Sequence, residues 1–257
     1  MRVMPIPCLQ DNYAYLVICE ETGQAAVVDP SEAAPVLRAL QEAKVELVAI
    51  LNTHHHWDHV GGNKELLAKF PRLEVYGHSS DKGRIEGQTR FLESGDTFRL
   101  GKLDVRVLHN PGHTTGAVSY VIDGNVFTGD TLFAGGCGRL FEGTPEMMYE
   151  SLCKVIGALP EHTKVHFGHE YTENNLRFAA SVEPDNRDVQ EKLEAVRKLR
   201  AAGKFSTPST LAEEWRTNPF MRVDSTTIQA SVKKADPDND LSPVHVLAVV
   251  RELKNRF

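Results

Sequence analysis

The chain has 257 residues, is 41% hydrophobic and 25% charged, and carries a formal net charge of −6. That composition is ordinary for a globular protein of one large domain or a domain with a smaller companion, and its negative balance argues against a broad nucleic-acid surface but not against a local basic pocket. No apolar run approaches the ~18 residues of a membrane helix, the first residues hold none long enough for a signal peptide, and the four cysteines show neither Cys-x-x-Cys nor a disulfide rhythm, so a reduced cytoplasmic setting is expected.

The apolar runs Tyr13–Ile18 and Ala25–Val28 read as strands around a turn at Glu21-Thr22-Gly23. A helix is predicted after Pro30, with Val36, Leu37 and Leu40 on one face, and then a buried strand over Val45–Leu51. Gly61-Gly62 leads into a helix carrying Leu66, Leu67 and Phe70. Strands follow over Leu73–Tyr76, Thr97–Leu100, Leu103–Leu108, Ala117–Ile122 and Val126–Thr128. Leu103, Val105 and Val107 alternate with polar neighbours, as a strand with one buried face does. A helix over Met147–Ile156 and a short strand over Lys164–Phe167 complete a layered α/β pattern. Beyond Tyr171 the texture turns helical. Residues 172–202 carry the stripe Val189, Leu193, Val196 and Leu199, which Gly203 closes. Loop-like sequence follows through Thr207-Pro208-Ser209, and the chain ends in a helix with Ser242 as N-cap and Pro243 at its first position. We therefore expect a domain over residues 1–171 and a smaller helical domain over 172–257.

Residues 53–59 read Thr-His-His-His-Trp-Asp-His, directly after the strand that ends at Leu51. His54, His56, Asp58 and His59 place four nitrogen and oxygen ligands in six residues with no cysteine among them, unlike a structural zinc finger. Such donors suit zinc, iron or manganese. One ion rarely needs so many neighbours from one loop, so the run suggests two ions side by side, the arrangement of hydrolytic sites. Three further strand ends deliver a candidate ligand into a glycine-bearing loop: His113, Asp130 and His169. Taken singly each reads as a surface or structural residue, and only together do they complete a site. His55 should point away from its neighbours, because side chains alternate along an extended segment. It is read, with His78, His109, His162, His166 and His245, as structural or exposed.

Thr53–His59, Pro111–Thr114 and Thr128–Leu132 resemble the signature loops of the metallo-β-lactamase superfamily, which implies a four-layer αβ/βα sandwich with metals at one edge. A narrower resemblance, to the glyoxalase II (hydroxyacylglutathione hydrolase) family, runs nearly end to end. It rests on Asp11-Asn12-Tyr13, Gly136-Cys137-Gly138-Arg139 with Glu142-Gly143, and Gly168-His169-Glu170-Tyr171-Thr172. Asn218-Pro219-Phe220-Met221-Arg222 and Arg251-x-x-Lys254-x-x-Phe257 extend it to the last helix. The resemblance implies one divalent ion on His54, His56 and His113, a second on Asp58, His59 and His169, and Asp130 bridging both. Zinc is the expected metal, with iron or manganese as alternatives.

The resemblance also implies glutathione contacts from Arg139, Tyr171, Arg251 and Lys254. Spacing alone would make Arg251 and Lys254 two solvated charges at a helix C-terminus, off the apolar stripe. Some relatives have Tyr where this chain has Phe141, so no hydroxyl contact is carried over there. The implied activity is hydrolysis of the thioester S-D-lactoylglutathione to D-lactate and glutathione, the second step of methylglyoxal detoxification. Asp58 and Asp130 serve as ligands around a metal-held hydroxide. A mononuclear iron dioxygenase acting on glutathione persulfide, or another superfamily hydrolase such as a lactonase, is the alternative. The expected partner is the small-molecule substrate alone, with no nucleic acid and no membrane, and the expected state is a cytoplasmic monomer.

Overall fold

The structure, a computed structural model, describes residues 1–257, which fold as two compact units. The first comprises Met1–His109, Gly116–Gly129 and Phe167–His169. It opens with β1 (Arg2–Cys8), β2 (Asn12–Cys19) and β3 (Gln24–Val28), then α1 (Ala33–Ala43), β4 (Glu46–Leu51), the single turn α2 (Trp57–Val60) and α3 (Asn63–Lys69). Strands β5 (Glu74–His78) and β6 (Arg90–Leu92) complete a sheet of order β1-β2-β3-β4-β5-β6. Its first three strands run antiparallel and β3 through β6 run parallel. Four antiparallel strands follow: β7 (Thr97–Leu100), β8 (Leu103–His109), β9 (Val118–Ile122) and β10 (Asn125–Gly129). Every residue of β2 is buried, and Leu16, Ile18, Val27, Ile50 and Val75 pack with Val36 and Leu40 of α1 and Leu66 of α3 in one core. Parallel strands need crossover connections, and the apolar faces of α1 and α3 are what those connections bury.

β1 was not expected from the sequence. Pro5 and Pro7 lack the N–H that a central strand needs, but β1 lies at the edge of its sheet, where proline is tolerated.

The second unit comprises Asn110–Thr115, Asp130–His166 and Glu170–Phe257. Two-residue strands β11 (Leu132–Phe133) and β12 (Gly136–Cys137) pair with each other. The helix expected over Met147–Ile156 begins two residues earlier as α4 (Pro145–Tyr149), capped by Thr144, and continues as a π-helical stretch over Glu150–Ile156. β13 (Lys164–Phe167) pairs with β14 (Ser209–Thr210).

The region 172–202 is two helices rather than one. α5 (Thr172–Val182) stops before Pro184, and α6 (Arg187–Ala201) restarts on Asn186, whose side chain accepts from the Val189 N–H at 3.2 Å. Two further helices, α7 (Leu211–Thr217) and α8 (Thr226–Ala235), occupy the stretch between Ser209 and Ser242, for which the sequence reading gives no element. α9 (Pro243–Arg256) closes the chain from Ser242, as expected. Asn218 fixes the β11–β12 turn by donating to the carbonyls of Phe133 (3.2 Å) and Gly136 (3.0 Å). All four cysteines are free thiols, and no helix is long and apolar enough to cross a membrane.

Candidate metal centre

The buried strand β4 hands the chain to Asn52 and Thr53, both fully buried. Asn52 donates to the His59 carbonyl at 3.1 Å, and the Tyr120 hydroxyl donates to the Asn52 carbonyl at 2.8 Å. The Thr53 carbonyl accepts from the Val118 N–H at 2.8 Å. The histidine run is thereby tied at both ends, and the single turn α2 carries Asp58 and His59 on adjacent positions.

The donor atoms of Asp58, His59 and His169 form a triangle. His59 Nε2 lies 3.3 Å from His169 Nε2, and Asp58 Oδ2 lies 3.6 Å from the first and 3.4 Å from the second. Tetrahedral ligands at ~2.0–2.1 Å from one cation stand ~3.3–3.4 Å apart, so the triangle has the size a cation needs. The proton positions agree. His59 Nδ1 faces Asp29 Oδ2 at 2.9 Å and His169 Nδ1 faces Asp11 Oδ1 at 2.9 Å. An ionised carboxylate only accepts, so each Nδ1 carries the ring proton and each Nε2 turns a lone pair inward. Two lone pairs and a carboxylate oxygen converging at this distance repel one another, and a cation among them reverses that sign. Asn12 donates to Asp58 Oδ2 at 3.1 Å and holds its orientation.

Asp29, His54 and His59 also lie within ligating distance of one another. Asp29 is nevertheless an orienting group. Its oxygens already accept from the Thr53 N–H (2.7 Å), the Thr53 hydroxyl (2.6 Å) and His59 Nδ1. Because Thr53 gives its hydroxyl proton to Asp29, its oxygen accepts from His54 Nδ1 at 3.0 Å. His54 Nε2 is left as a lone pair facing His56 Nδ1 at 3.1 Å.

The second unit repeats this logic. His113 Nδ1 donates to the Arg139 carbonyl at 2.8 Å, and its Nε2 faces Asp130 Oδ2 at 3.5 Å, acceptor against acceptor. Gly138 permits the approach, since a Cβ there would sit 2.1 Å from the Asp130 carbonyl oxygen and 2.9 Å from His113 Nδ1.

The same unit gathers cations. Arg139 and Arg251 line a cavity of about 380 Å³ together with Leu140, Phe141, Pro145 and Asn255. Arg251 is buried, against the expectation of a solvated charge. It donates from Nη1 to the Cys137 carbonyl at 2.7 Å and lies 5.1 Å over the Phe220 ring. Its long apolar stem accounts for the difference, because a guanidinium can bury its methylenes and stack on an aromatic face. Lys254 Nζ donates to the Asn174 carbonyl at 3.2 Å and sits over the rings of Phe178 and Phe257. Burial, then the charges of Arg251, Arg177 and Arg139, push its ammonium down to about 8. Tyr171 stands outside that cavity lining, half-exposed against the Phe133 ring. Phe141 is exposed, with its ring edge-on to His113 at 5.2 Å.

The metallo-beta-lactamase superfamily model matches residues 10–202, and the hydroxyacylglutathione hydrolase C-terminus model matches residues 170–257. A hydroxyacylglutathione hydrolase from Synechococcus sp. (strain JA-3-3Ab) is 52% identical over 259 residues that span all of both chains. The chain belongs to the hydroxyacylglutathione hydrolase family. A family member described as cytoplasmic, from Arabidopsis thaliana, is 46% identical, with 100% of this chain and 99% of that one covered. The crystal structure of TTHA1623 in a di-iron-bound form superposes with a TM-score of 0.61 at 28% identity, covering 86% of this chain and all of the other. This hydroxyacylglutathione hydrolase therefore has the α/β fold of the superfamily, with two mixed sheets and a helical C-terminal region, and its His/Asp clusters are those of a metal site.

Within this family member the first unit brings His54, His56, Asp58, His59 and His169 together, and the second pairs His113 with Asp130. Sequence reasoning missed Asp29, and it picked out Asp11 and Asn12 as part of a family motif without giving them their orienting role. Asp29 stands directly after β3, a strand-end carboxylate like Asp130, and that placement was the available signal. Arg177, which joins the cation group, carried no signal at all.

Proposed function

We propose that this chain hydrolyses the thioester of an S-(2-hydroxyacyl)glutathione, S-D-lactoylglutathione above all, through a dinuclear centre. In this reading His54, His56 and His113 hold one divalent ion, Asp58, His59 and His169 hold the second, and Asp130 bridges them. Zinc is the favoured metal. The observation that carries the reading is the Asp58–His59–His169 triangle, each imidazole backed by a carboxylate, in a chain that matches hydroxyacylglutathione hydrolases over its full length. The di-iron form of TTHA1623 supports two ions.

Cations held there would lower the pKa of water from ~15.7 toward ~7 and polarise a carbonyl oxygen. Asp58 and Asp130 would serve as ligands rather than free bases. Water adds its oxygen to the acyl carbon, the C–S bond breaks, sulfur leaves as the glutathione thiolate, and the two protons of water pass to solvent. A thiolate is stable enough near neutrality that no side chain need act as a strong acid. Arg139, Tyr171, Arg251 and Lys254 bind the glutathione moiety. Its carboxylates meet a group of cations in which burial first, and then the charges of Arg251, Arg177 and Arg139, hold Lys254 down to about 8. Residues 172–257 serve as the glutathione-binding domain. We place the enzyme in the cytoplasm as a monomer, supported by the free cysteines and by the cytoplasmic relative. Its partner is the small-molecule substrate, with neither nucleic acid nor membrane involved.

The test combines metal analysis of purified protein with thiol release from S-D-lactoylglutathione. Two ions per chain and release of one thiol per thioester are expected. One iron per chain with oxygen consumption on glutathione persulfide, and no thiol release, would replace this reading with the dioxygenase alternative.

A further inference from the structure

His55, the middle residue of the histidine run, is outside every ligand set above, and Asp81 and Arg84 have so far had no role. The three form a group within the first unit. Asp81 ends the 3-10 turn Ser79–Asp81 that follows β5, and its carboxylate is fully buried. Neither oxygen accepts a hydrogen bond from the protein. The neighbours of the charge are Arg84 Nη2 and His55 Nδ1, each 3.3 Å from Oδ1. Arg84 Nη2 in turn contacts both ring nitrogens of His55, Nδ1 most closely and Nε2 at 2.6 Å. The carboxylate is pressed onto the backbone at Gly116, where an added Cβ would fall 2.4–2.7 Å from all three carboxyl atoms. Gly116 is three residues past His113. A buried charge at that depth is tolerated only through its partners, and here one partner sits between two candidate metal ligands.

The chain bends at Thr53 and His54 and enters α2 after His56, so the three rings crowd one short loop. With His55 held toward Asp81 and Arg84, its ring stands 6.4 Å from that of His54 and 5.0 Å from that of His56, and the rings of His54 and His56 meet at 4.7 Å between centroids. We propose that Asp81, with Arg84, is a positioning residue of the metal loop: it holds His55 and so sets the approach of His54 and His56 to a common ion. The inference rests on the metal-site reading above. It differs from a merely stabilising ion pair in what it predicts for the metal.

The experiment compares wild type, Asp81→Asn, His55→Ala and the double variant. Zinc affinity is measured by chelator competition, the electronic spectrum is recorded after cobalt substitution, and Tm is measured without metal. Each single variant should lose about 10–100-fold in zinc affinity, the range for groups that orient ligands, and should shift the cobalt bands. The double variant should lose no more than the worse single one, because both changes cut the same link. Unchanged affinity and spectrum with a lowered Tm would make the group structural only and overturn the proposal. Losses that multiply in the double variant would overturn it too. Should Asp81→Asn not fold, His55→Ala decides alone, with wild-type zinc affinity as the refuting result. Thiol release is scored separately: its absence in wild type would refute the thioesterase reading and leave the affinity comparison intact.

Discussion

The carboxylate of Asp29 supports two histidines at once, and its removal should be felt in both stability and metal binding. It receives the Thr53 N–H, the Thr53 hydroxyl and His59 Nδ1, and Thr53 passes the constraint on to His54. Asp29, Thr53, His54 and His59 are all buried. In Asp29→Ala three donors lose their acceptor out of reach of bulk water. Each orphaned donor costs about 1–3 kcal/mol, and neighbouring losses are not fully additive, so a total of about 3–6 kcal/mol is expected. For a chain of this size that corresponds to roughly 6–24 °C in Tm. Asp29→Asn keeps one carbonyl oxygen for Thr53 but turns an amide donor toward a donor, and should cost about 1–3 kcal/mol. Thermal unfolding of the metal-free variants isolates this contribution from that of the ion. Zinc affinity, taken by chelator competition, should fall by about 10–100-fold in both variants. A metal-free Asp29→Ala within a few degrees of wild type, or Asp29→Asn as damaging as Asp29→Ala, would refute the reasoning.

Three further outcomes are expected. Asp130→Ala should lose dinuclear occupancy along with thiol release, whereas His113→Ala should leave one ion partly bound; metal-to-protein ratios check both. Lys254 is charged in the folded protein only below about 8, against 10.5 in an unfolded chain, so KM for the glutathione thioester should rise above pH 8 and Lys254→Met should flatten that rise. The stability sign is opposite. Between about 8 and 10.5 the unfolded chain holds the proton that the folded chain has released, so Lys254 contributes increasing stability as pH rises through that window, which urea titrations at several pH values will read. Gly138→Ala drives a methyl into the Asp130 carbonyl and the His113 ring, and thiol release should fall while circular dichroism still reports a folded chain.

The parts of this molecule visible in the sequence are those with a local cause. β3 and β4 read as apolar runs, and α9 announces itself through Ser242-Pro243, whereas the three-residue β6, Arg90-Phe91-Leu92, has no such run. The His54–His59 run concentrates its ligands within one loop. What stayed hidden depends on partners far along the chain. The two prolines of β1 argue against a strand until its edge position is known. The α5–α6 break is legible at Pro184, but the stripe Val189, Leu193, Val196 and Leu199 lies wholly on α6 and says nothing of where the helix before it ends. α7 had a readable signal, the reciprocal capping box of Thr210 and Glu213, lost in a stretch rich in turn-forming residues. Asp11 and Asp29 act through His169 and His59, which lie 158 and 30 residues away, and no periodicity reports such a pairing. Spacing alone leaves Arg251 a solvated charge, because helix periodicity cannot show that Cys137 and Phe220 lie under its stem.

The treatment of the thiols bears on the company this enzyme keeps. A protein that turns out free glutathione works amid a large pool of thiol and disulfide, and exchange with that pool requires a thiolate that can be reached. Burial pushes Cys8 up to about 11 and Cys153 up to about 12, and it raises Cys137 despite the guanidinium of Arg251 beside it. Cys19 runs the other way, down to about 7 through the Thr22 hydroxyl and the Lys102 N–H, but it is only 2% exposed. Each cysteine thus lacks either the charge or the access that exchange demands. Glutathione disulfide should therefore leave turnover unchanged, and mass spectrometry after incubation with it should show no mixed disulfide on any of the four cysteines.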